Sequence, residues 1–343
     1  MGVMLAGGVE IPQIGFGTLQ MRPDETQAAV EEALALGYRH VDTAAAYMNE
    51  AGVGAALAAT GLAGEVFVTT KLRTFEQGYD STLRAFEASR AALGVDVVDL
   101  YLIHWPAPAL GTYVDSWRAM ARLLDEGAVR AIGVSNFLPE HIARLADEVG
   151  VLPAIDQVES HPSFWRPELE ARCRERGIVV EAYAPLGHGG DLAAEPVVAA
   201  AERIGASPAQ VILGWHLRAG RVVLPKSAHV VRMRENLAAA EVAPLLTEAE
   251  LAAISALNNP DARLFGDPAT NVNRQDATDE FPRRRWGAAR GPLGRRRWRG
   301  AAPPRGRRTA RERSEGPAPQ ARRASPPLRQ RPCQSAVGRS SPR

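Results

Sequence analysis

Cysteine is almost absent from this 343-residue chain, which contains only Cys173 and Cys333. Two thiols are too few for a disulfide framework or for a zinc site of clustered thiolates, so we expect a reducing compartment, the cytoplasm. No apolar run approaches the ~18 residues that a membrane span needs. The first residues have neither a basic start nor a long apolar core, so no secretory signal is predicted.

Lysine is equally scarce, because the 41 basic residues comprise 39 Arg and only Lys71 and Lys226. The net charge of +2 also hides two opposed segments. Residues 281–343 carry a net charge of +17 and residues 1–280 a net charge of −15. The composition therefore predicts two parts with different properties, a folded part over 1–280 and a basic tail over 281–343.

The predicted tail is rich in Arg, Pro, Gly and Ala and has no periodic apolar pattern. Such a segment cannot bury enough apolar surface to offset its ordering entropy, so we interpret it as disordered. An arginine run could bind nucleic acid, but a solvated extension is the favoured interpretation. Out-of-frame translation of a GC-rich gene end is a further hypothesis, which the DNA sequence near codon 280 would test.

Short β-branched runs alternate with amphipathic helical segments throughout residues 1–280. The predicted strands are Ile14–Gly17, His40–Asp42, Val66–Lys71, Val97–His104, Ala131–Ser135, Ala154–Glu159, Val179–Tyr183 and Val222–Leu224. Glycine follows most of the helical segments, as expected of a helix C-terminus. Eight strand–helix units in about 245 residues predict a (β/α)8 TIM barrel. A small hairpin around Gly7-Gly8 is predicted before it and could plug its bottom.

Two nucleotide-binding motifs are missing from the sequence. The turn after the first strand lacks the third glycine of G-x-G-x-x-G, which disfavours the alternative of a doubly wound open sheet. No phosphate loop of the form G-x-x-x-x-G-K-[ST] occurs either. The histidines show no H-x-x-x-H or H-E-x-x-H spacing, so no metal site is predicted.

Polar and titratable side chains concentrate where the predicted strands end, the face that carries the active sites of barrels. Lys71 and Asp42 end neighbouring strands, so the carboxylate can pair with the ammonium. Tyr47 follows a small-residue turn beside them, and His104 ends the next strand. A phenol is a poor acid near pH 7, but a neighbouring ammonium stabilises the phenolate and lowers the pKa of the phenol. The four residues therefore predict general acid–base chemistry.

Six segments, in this order, resemble the aldo-keto reductases. They are RHVDTAAAYMNEAGVG, FVTTKL, LYLIHWP, AIGVSNF, VVEAYAPLG and LPKSAHVVRMREN. The resemblance runs from about residue 3 to about residue 275, and within the family it is strongest to bacterial reductases of keto sugars and small carbonyls, such as 2,5-diketo-gluconate reductases. It implies NADPH-dependent reduction of aldehydes or ketones, with NADPH/NADP+ bound across the barrel mouth.

The resemblance also implies residue roles. Asp42, Tyr47, Lys71 and His104 match the catalytic tetrad, with Tyr47 as the general acid and His104 orienting the carbonyl. Trp105 matches a residue that lines the substrate pocket, and Leu19 stands at a pocket position where the family often has an aromatic residue. The positions implied to bind the cofactor are Gly17, Thr18, Ser135, Asn136, Gln157, Tyr183, Leu186, Gly187, Lys226, Ser227, Arg232, Glu235 and Asn236. Among these, Lys226, Ser227 and Arg232 match the clamp on the 2′-phosphate of NADP. A point charge, a hydroxyl and a guanidinium near a helix N-terminus also suit a phosphate on physical grounds.

Two alternatives remain open. An NADP(H)-binding sensor of the same fold with little turnover would be expected to lose a tetrad residue, and none is lost. A nucleic-acid contact is predicted only through the tail, if at all. A small carbonyl compound is the expected partner, no membrane association is expected, and a monomer is the expected oligomeric state.

Overall fold

The computed structural model describes residues 1–272, which begin with a hairpin followed by eight barrel strands. The hairpin pairs β1 (Gly2–Met4) with β2 (Glu10–Pro12) in antiparallel register. The barrel strands are β3 (Phe16–Gly17), β4 (His40–Asp42), β5 (Phe67–Leu72), β6 (Val98–Ile103), β7 (Val129–Ser135), β8 (Ile155–Glu159), β9 (Val179–Tyr183) and β10 (Val222–Leu224). Three of the eight strands begin and end where the sequence predicts, and the ends of the others differ from the prediction by at most two residues.

The eight strands are all parallel and pair in sequence order from β3 to β10. The sheet closes between its first and last strands through a parallel bridge between Ile14 and Val223. There the amide of Gly15 donates to the carbonyl of Val223, and the amide of Val223 donates to the carbonyl of Gln13, each at 2.9 Å. The predicted (β/α)8 barrel is confirmed, and the alternative of an open sheet is wrong.

Helices cover the outside of the barrel, most of them between successive strands and the last three after β10. They are α1 (Pro23–Ala35), α2 (Glu50–Thr60), α3 (Tyr79–Leu93), α4 (Tyr113–Asp125), α5 (Pro139–Val149), α6 (Pro167–Glu175), α7 (Glu195–Ile204), α8 (Pro208–Arg218), α9 (Val230–Leu237), α10 (Ala239–Val242) and α11 (Glu248–Ser255). The sequence analysis did not identify α2, whose Ala and Gly residues give little amphipathic pattern. Gly54 of α2 lies so close to α3 that a Cβ atom would stand 2.6 Å from the Ala92 carbonyl oxygen.

Local sequence signals explain where several helices start and stop. The helix α3 ends at Gly94, which has a φ of +64° and donates its amide to the carbonyl of Arg90 at 3.0 Å. Glycine adopts this left-handed conformation without the steric cost that a side chain would add. The helix α8 begins after Ser207, whose hydroxyl accepts from the amide of Gln210 in a capping box.

The N-terminal hairpin closes the bottom of the barrel, as predicted. Its buried residues Leu5, Val9 and Ile11 form one apolar cluster with residues from the interior of the strands, among them Phe67 and Leu102. Full burial of a side chain such as Ile11 contributes roughly 1.5–3 kcal/mol to the stability of the folded state. This apolar layer leaves the opposite, C-terminal mouth as the polar end of the barrel.

The basic segment over residues 281–343 lies outside the described residues, as does the predicted boundary at residue 280. Its disorder and any contact with nucleic acid stay predictions. Within residues 1–272, no helix combines the length and the apolar character that a membrane crossing requires.

Candidate active site

Lys71 and Asp42 form a buried ion pair at the C-terminal ends of β5 and β4. The Lys71 Nζ atom lies 2.7 Å from each carboxylate oxygen of Asp42 and donates to the carbonyl of Thr43 at 2.9 Å. It also lies 3.4 Å from the hydroxyl oxygen of Tyr47. The Lys71 side chain is fully buried, so the pair is largely protected from screening by solvent. The structure therefore brings together the ammonium, carboxylate and phenol that the sequence predicted.

His104 completes this group from the end of β6. Its ring stands edge-on to that of Tyr47, with the two centroids 5.7 Å apart. The amide of His104 donates to the carbonyl of Leu72, which continues the β5–β6 pairing to this position. Tyr47 and His104 are each 8% exposed. Two side chains that can exchange protons thus lie next to one another at the barrel mouth.

Ser135, Asn136 and Tyr183 are joined by hydrogen bonds beside His104. Asn136 has a φ of +63°, a conformation that asparagine tolerates better than most residues. Its Nδ2 donates to the His104 carbonyl at 3.1 Å and to the Ser135 hydroxyl at 3.0 Å, and its Oδ1 accepts from the Tyr183 hydroxyl at 2.7 Å. Burial raises the pKa of Tyr183 far above its usual range, so its hydroxyl keeps the proton that it donates. These bonds fix the rim of the site next to the predicted catalytic group.

Gln157 lies inside the mouth with both of its amide hydrogens engaged. The Nε2 atom donates to Asp42 Oδ2 at 2.9 Å and to Glu181 Oε2 at 2.8 Å. Because ionised carboxylates only accept hydrogen bonds, the contact with Asp42 fixes which end of the amide is nitrogen. The carbonyl oxygen of Gln157 is therefore the end that remains for a ligand.

The predicted phosphate clamp follows β10. Lys226 and Arg232 are exposed, whereas the Ser227 hydroxyl is buried and accepts from the amide of His229 at 3.0 Å. Gly17 belongs to the same region, because a Cβ atom at Gly17 would stand 3.8 Å from Cβ of Lys226. The structure thus places Gly17, Lys226 and Ser227 together beside β3 and β10, and Arg232 on the following helix α9.

The remaining predicted residues lie on one helix and in three loops. Thr18 is buried and its hydroxyl donates to the Asp42 carbonyl at 3.0 Å. The others are on α9, in the loop after β9, and in the loops that follow β3 and β6. On α9 lie the half-buried Glu235 and the buried Asn236, and after β9 lie the half-buried Leu186 and the buried Gly187. The half-buried Leu19 follows β3, and the buried Trp105 follows β6.

The loop after β9 is held by a buried histidine to which the sequence analysis gave no functional role. His161 Nδ1 lies 3.0 Å from Asp191 Oδ2, and its Nε2 lies 3.3 Å from Glu159 Oε1. Burial alone would lower the pKa of His161, but these hydrogen bonds outweigh burial and raise it. Glu159 also accepts the amide of Phe265, whose ring stands edge-on to that of Tyr183. This network fixes the loop and the C-terminal segment against the rim.

Comparison with known proteins identifies the family. A sequence profile described as "Aldo/keto reductase family" matches residues 13–259. The chain belongs to the aldo/keto reductase family. An "Aldo-keto reductase" of Mycobacterium sp. (strain JLS) is 48% identical over 269 residues, which cover 78% of this chain and 96% of the relative.

A second relative is named for a substrate. The "Methylglyoxal reductase DkgA" of Yersinia pestis is 40% identical over 272 residues, with 77% of this chain and 97% of the relative covered. Among solved structures, a mutant of Gox0644 in complex with NADPH is 44% identical with a TM-score of 0.75, covering 79% of this chain and 98% of that one. The predictions of the family and of an oxidoreductase that acts on carbonyl compounds are confirmed.

Sequence reasoning missed two buried ionisable residues of this aldo/keto reductase, Glu181 and His40. Both point into the barrel below Asp42, and His40 Nε2 lies 3.8 Å from Glu181 Oε1. Burial lowers the pKa of His40 to about 4. Burial, followed by the charge of Asp42, raises the pKa of Glu181 to about 8. The alternation of side chains in VVEAY could have indicated that Glu181 faces inward, since Tyr183 two residues later faces the same way.

Asp156 is another buried carboxyl group in this aldo/keto reductase, and its effect on stability depends on pH. Burial raises its pKa from 3.8 to about 7. Asp156 therefore ionises at lower pH in the unfolded chain than in the folded chain. As the pH rises from about 4 to about 7, the free energy of unfolding decreases. We expect Asp156→Asn to gain stability relative to wild type across this range, by at most about 4 kcal/mol.

Denaturant unfolding of both proteins at several pH values measures this difference. A stability difference that stays constant with pH would contradict the raised pKa.

Within residues 1–272, no group of three or more metal-ligating side chains is placed to hold a metal ion.

Proposed function

We propose that the chain reduces small aldehydes and ketones to alcohols with NADPH, and that Tyr47 is the general acid. One observation carries the proposal: the Lys71 ammonium contacts both Asp42 oxygens at 2.7 Å and the Tyr47 hydroxyl at 3.4 Å. A phenol next to a buried ammonium is suited to giving up a proton at neutral pH. The family membership gives the reaction class, and this contact gives the source of the proton.

The residues at the mouth fit a nicotinamide nucleotide. The Gln157 carbonyl and the second lone pair of Asn136 Oδ1 can each accept a hydrogen from a carboxamide. The Tyr183 ring is half-buried and held by Asn136, so one of its faces can support a flat ring. At the other end, Lys226, Ser227 and Arg232 supply charge and a hydroxyl for a phosphate. When bound, NADPH supplies the hydride that reduces the carbonyl carbon.

The protein's part in the reaction is to move one proton and to orient the carbonyl. As negative charge builds on the carbonyl oxygen, the Tyr47 hydroxyl donates its proton to that oxygen. Lys71 stabilises the phenolate that remains, and Asp42 keeps Lys71 charged and in place. His104, beside Tyr47, can hydrogen-bond the same carbonyl oxygen and so set its distance from the phenol. In the reverse oxidation, the phenolate accepts the proton.

We expect the substrate, a small carbonyl compound, to bind beside Tyr47. Leu19 and Trp105 supply apolar surface from two loops, and the Trp105 carbonyl accepts from Gln77 Nε2 at 2.7 Å, which fixes that loop. The test is NADPH oxidation by the full chain with methylglyoxal, simple aldehydes and a keto sugar. Turnover with at least one of them is expected. NADPH binding with no turnover across the panel would favour the sensor alternative instead.

Lys226 is expected to distinguish NADPH from NADH. A charge-assisted hydrogen bond to a phosphate contributes about 1.5–3 kcal/mol, so Lys226→Ala should weaken NADPH binding by roughly 10- to 100-fold. NADH lacks the 2′-phosphate, and its affinity should change by less than about twofold. Fluorescence titration of both nucleotides gives the two dissociation constants.

Arg234 provides the matched control for this prediction. It is an exposed cation on α9, the helix that also carries Arg232. Arg234→Ala removes the same charge from the region, so a change of under about threefold for NADPH is expected. Equal losses of NADPH and NADH affinity in Lys226→Ala would refute the clamp, as would an Arg234→Ala loss as large as that of Lys226→Ala.

The cellular context is proposed from composition alone. The two cysteines favour a reducing compartment such as the cytoplasm, and Cys173 is a buried free thiol. A monomer is proposed because the sequence gives no sign of obligate assembly. Analytical ultracentrifugation of the full chain tests the monomer, and a dimer at micromolar concentration would overturn it.

A further inference from the structure

Glu181 occupies an unusual position inside the barrel. It lies on β9, is completely buried, and its Oε2 accepts the same Gln157 amide nitrogen that also donates to Asp42. Two carboxyl groups therefore share one amide group. Among the described residues, Oε1 of Glu181 has no hydrogen-bond partner. A buried carboxylate with an unsatisfied oxygen is costly, so the protonation state of Glu181 needs a physical account.

The charged groups that face Glu181 favour its neutral form. Lys71 is the cation nearby, and Asp42 already engages it with both carboxylate oxygens. Asp42 itself repels a second negative charge across Gln157. With Asp42 and Lys71 balancing one another, an ionised Glu181 would leave this buried layer with a net negative charge.

His40 presents an acceptor, not a donor, to Glu181. Its Nδ1 lies 3.3 Å from the carbonyl oxygen of Pro12, which can only accept, so Nδ1 carries the proton. In the neutral ring, Nε2 then has a lone pair, which can accept the Thr69 hydroxyl hydrogen at 3.1 Å. The Glu181 oxygen 3.8 Å away therefore faces a ring nitrogen that donates no hydrogen, which disfavours a carboxylate.

We propose that Glu181 is a positioning residue that works in its neutral form: it holds the Gln157 amide from below, and its ionisation at alkaline pH weakens Tyr47 as an acid. This inference rests on the proposed reductase function. The neutral carboxyl accepts one Gln157 hydrogen and so keeps the Gln157 carbonyl directed at the cofactor. When Glu181 loses its proton, the added negative charge beside Asp42 and Lys71 offsets the field that stabilises the Tyr47 phenolate.

Glu181→Gln is the decisive variant, because an amide has the shape of the neutral acid and cannot ionise. Its oxygen can accept from Gln157, and its NH2 group can face His40 Nε2. With a pKa of about 8 for Glu181, the neutral fraction in wild type falls about tenfold between about pH 7 and pH 9. In wild type, kcat/KM should fall with this neutral fraction as the pH rises. In Glu181→Gln, kcat/KM should lack this tenfold part of the fall. An unchanged alkaline fall would overturn the proposal.

Glu181→Met separates the support of the Gln157 amide from the effect of Glu181 ionisation on Tyr47. It also abolishes ionisation, but it leaves Gln157 with Asp42 as its single acceptor. We expect the KM for NADPH to rise at least about threefold over that of Glu181→Gln, with a smaller change in kcat. Equal KM values in the two variants would contradict the support of Gln157. Asp156→Asn is the matched control, since it removes a buried carboxyl group that makes no hydrogen bond to the Gln157 side chain, and it should leave the alkaline fall as in wild type.

A measurement without substrate or cofactor keeps this inference separate from the reductase proposal. A neutral buried carboxyl contributes a C=O stretch to the infrared spectrum at neutral pH. The difference spectrum between wild type and Glu181→Gln should show this band, and it should vanish above about pH 9. Absence of the band overturns the neutral Glu181, even where the enzyme turns over. Presence of the band in a protein without NADPH-dependent turnover would refute the reductase proposal alone.

Discussion

Tyr47→Phe is expected to lower kcat for carbonyl reduction by roughly 10²- to 10⁴-fold, the contribution of a positioned general acid. The variant removes one oxygen atom, the one that lies 3.4 Å from Lys71 Nζ, and keeps the ring that packs against His104. NADPH affinity should stay within about twofold, because the predicted cofactor contacts lie on other residues. Steady-state kinetics with fluorescence titration of NADPH separates the two effects.

Tyr101→Phe is the control for the removal of a buried phenol oxygen. Tyr101 lies on β6 with its ring against Phe86 and, among the described residues, its hydroxyl has no hydrogen-bond partner. Loss of this hydroxyl should leave kcat within about twofold. If Tyr47→Phe retained more than about a tenth of the wild-type kcat, Tyr47 would not be the proton donor.

Lys71→Met is expected to abolish turnover and to destabilise the fold. The variant leaves the Asp42 carboxylate buried without its cation, and breaking a buried pair in this way costs about 3–5 kcal/mol. Turnover should fall at least as far as in Tyr47→Phe, since the phenolate loses the charge that stabilises it. Denaturant unfolding and kinetics measure the two losses on one preparation.

The double variant Lys71→Met with Asp42→Asn distinguishes the catalytic role of Lys71 from its structural role. Removal of both charges eliminates the uncompensated carboxylate, so most of the lost stability should return. Turnover should not return, because the ammonium beside Tyr47 is still missing. Recovery of turnover together with stability would show that Lys71 acts only as a structural partner of Asp42.

The barrel and its polar mouth could be predicted because both follow from patterns along the chain. Strand–helix alternation with glycine stops specifies the (β/α)8 order. Parallel strands then bring Asp42, Lys71 and His104 to the same end, so their proximity follows from their place in each strand. The pairing of Ile14 with Val223, which closes the barrel, could not be predicted from these patterns, because it joins two short segments far apart in sequence.

Side-chain direction and hydrogen bonding were less predictable. Gln157 was placed at the cofactor by resemblance, but nothing in the sequence indicated that both its amide hydrogens point inward, toward Asp42 and Glu181. The alternation along β9 directs Glu181 inward, but nothing in the sequence indicated that it would meet Gln157 and His40 there. Its neutral form depends on the His40 tautomer, which a contact with the carbonyl of Pro12 sets across the barrel.

The helix α2 shows a different limit. Its Ala and Gly residues fit closely against α3, as the position of Gly54 demonstrates. Close packing of small residues leaves few large apolar side chains, so the helical period is faint in the sequence.

In the proposed reaction, the carbonyl carbon receives a hydride from the nicotinamide while the oxygen receives its proton from the protein. Reduction of an aldehyde by the full chain with NADPH deuterated at the reactive ring carbon tests this most directly. We expect an alcohol with one deuterium on the former carbonyl carbon from wild type, and almost no product from Tyr47→Phe. An alcohol whose new carbon-bound hydrogen comes from solvent, or NADPH bound with no alcohol formed, would contradict it.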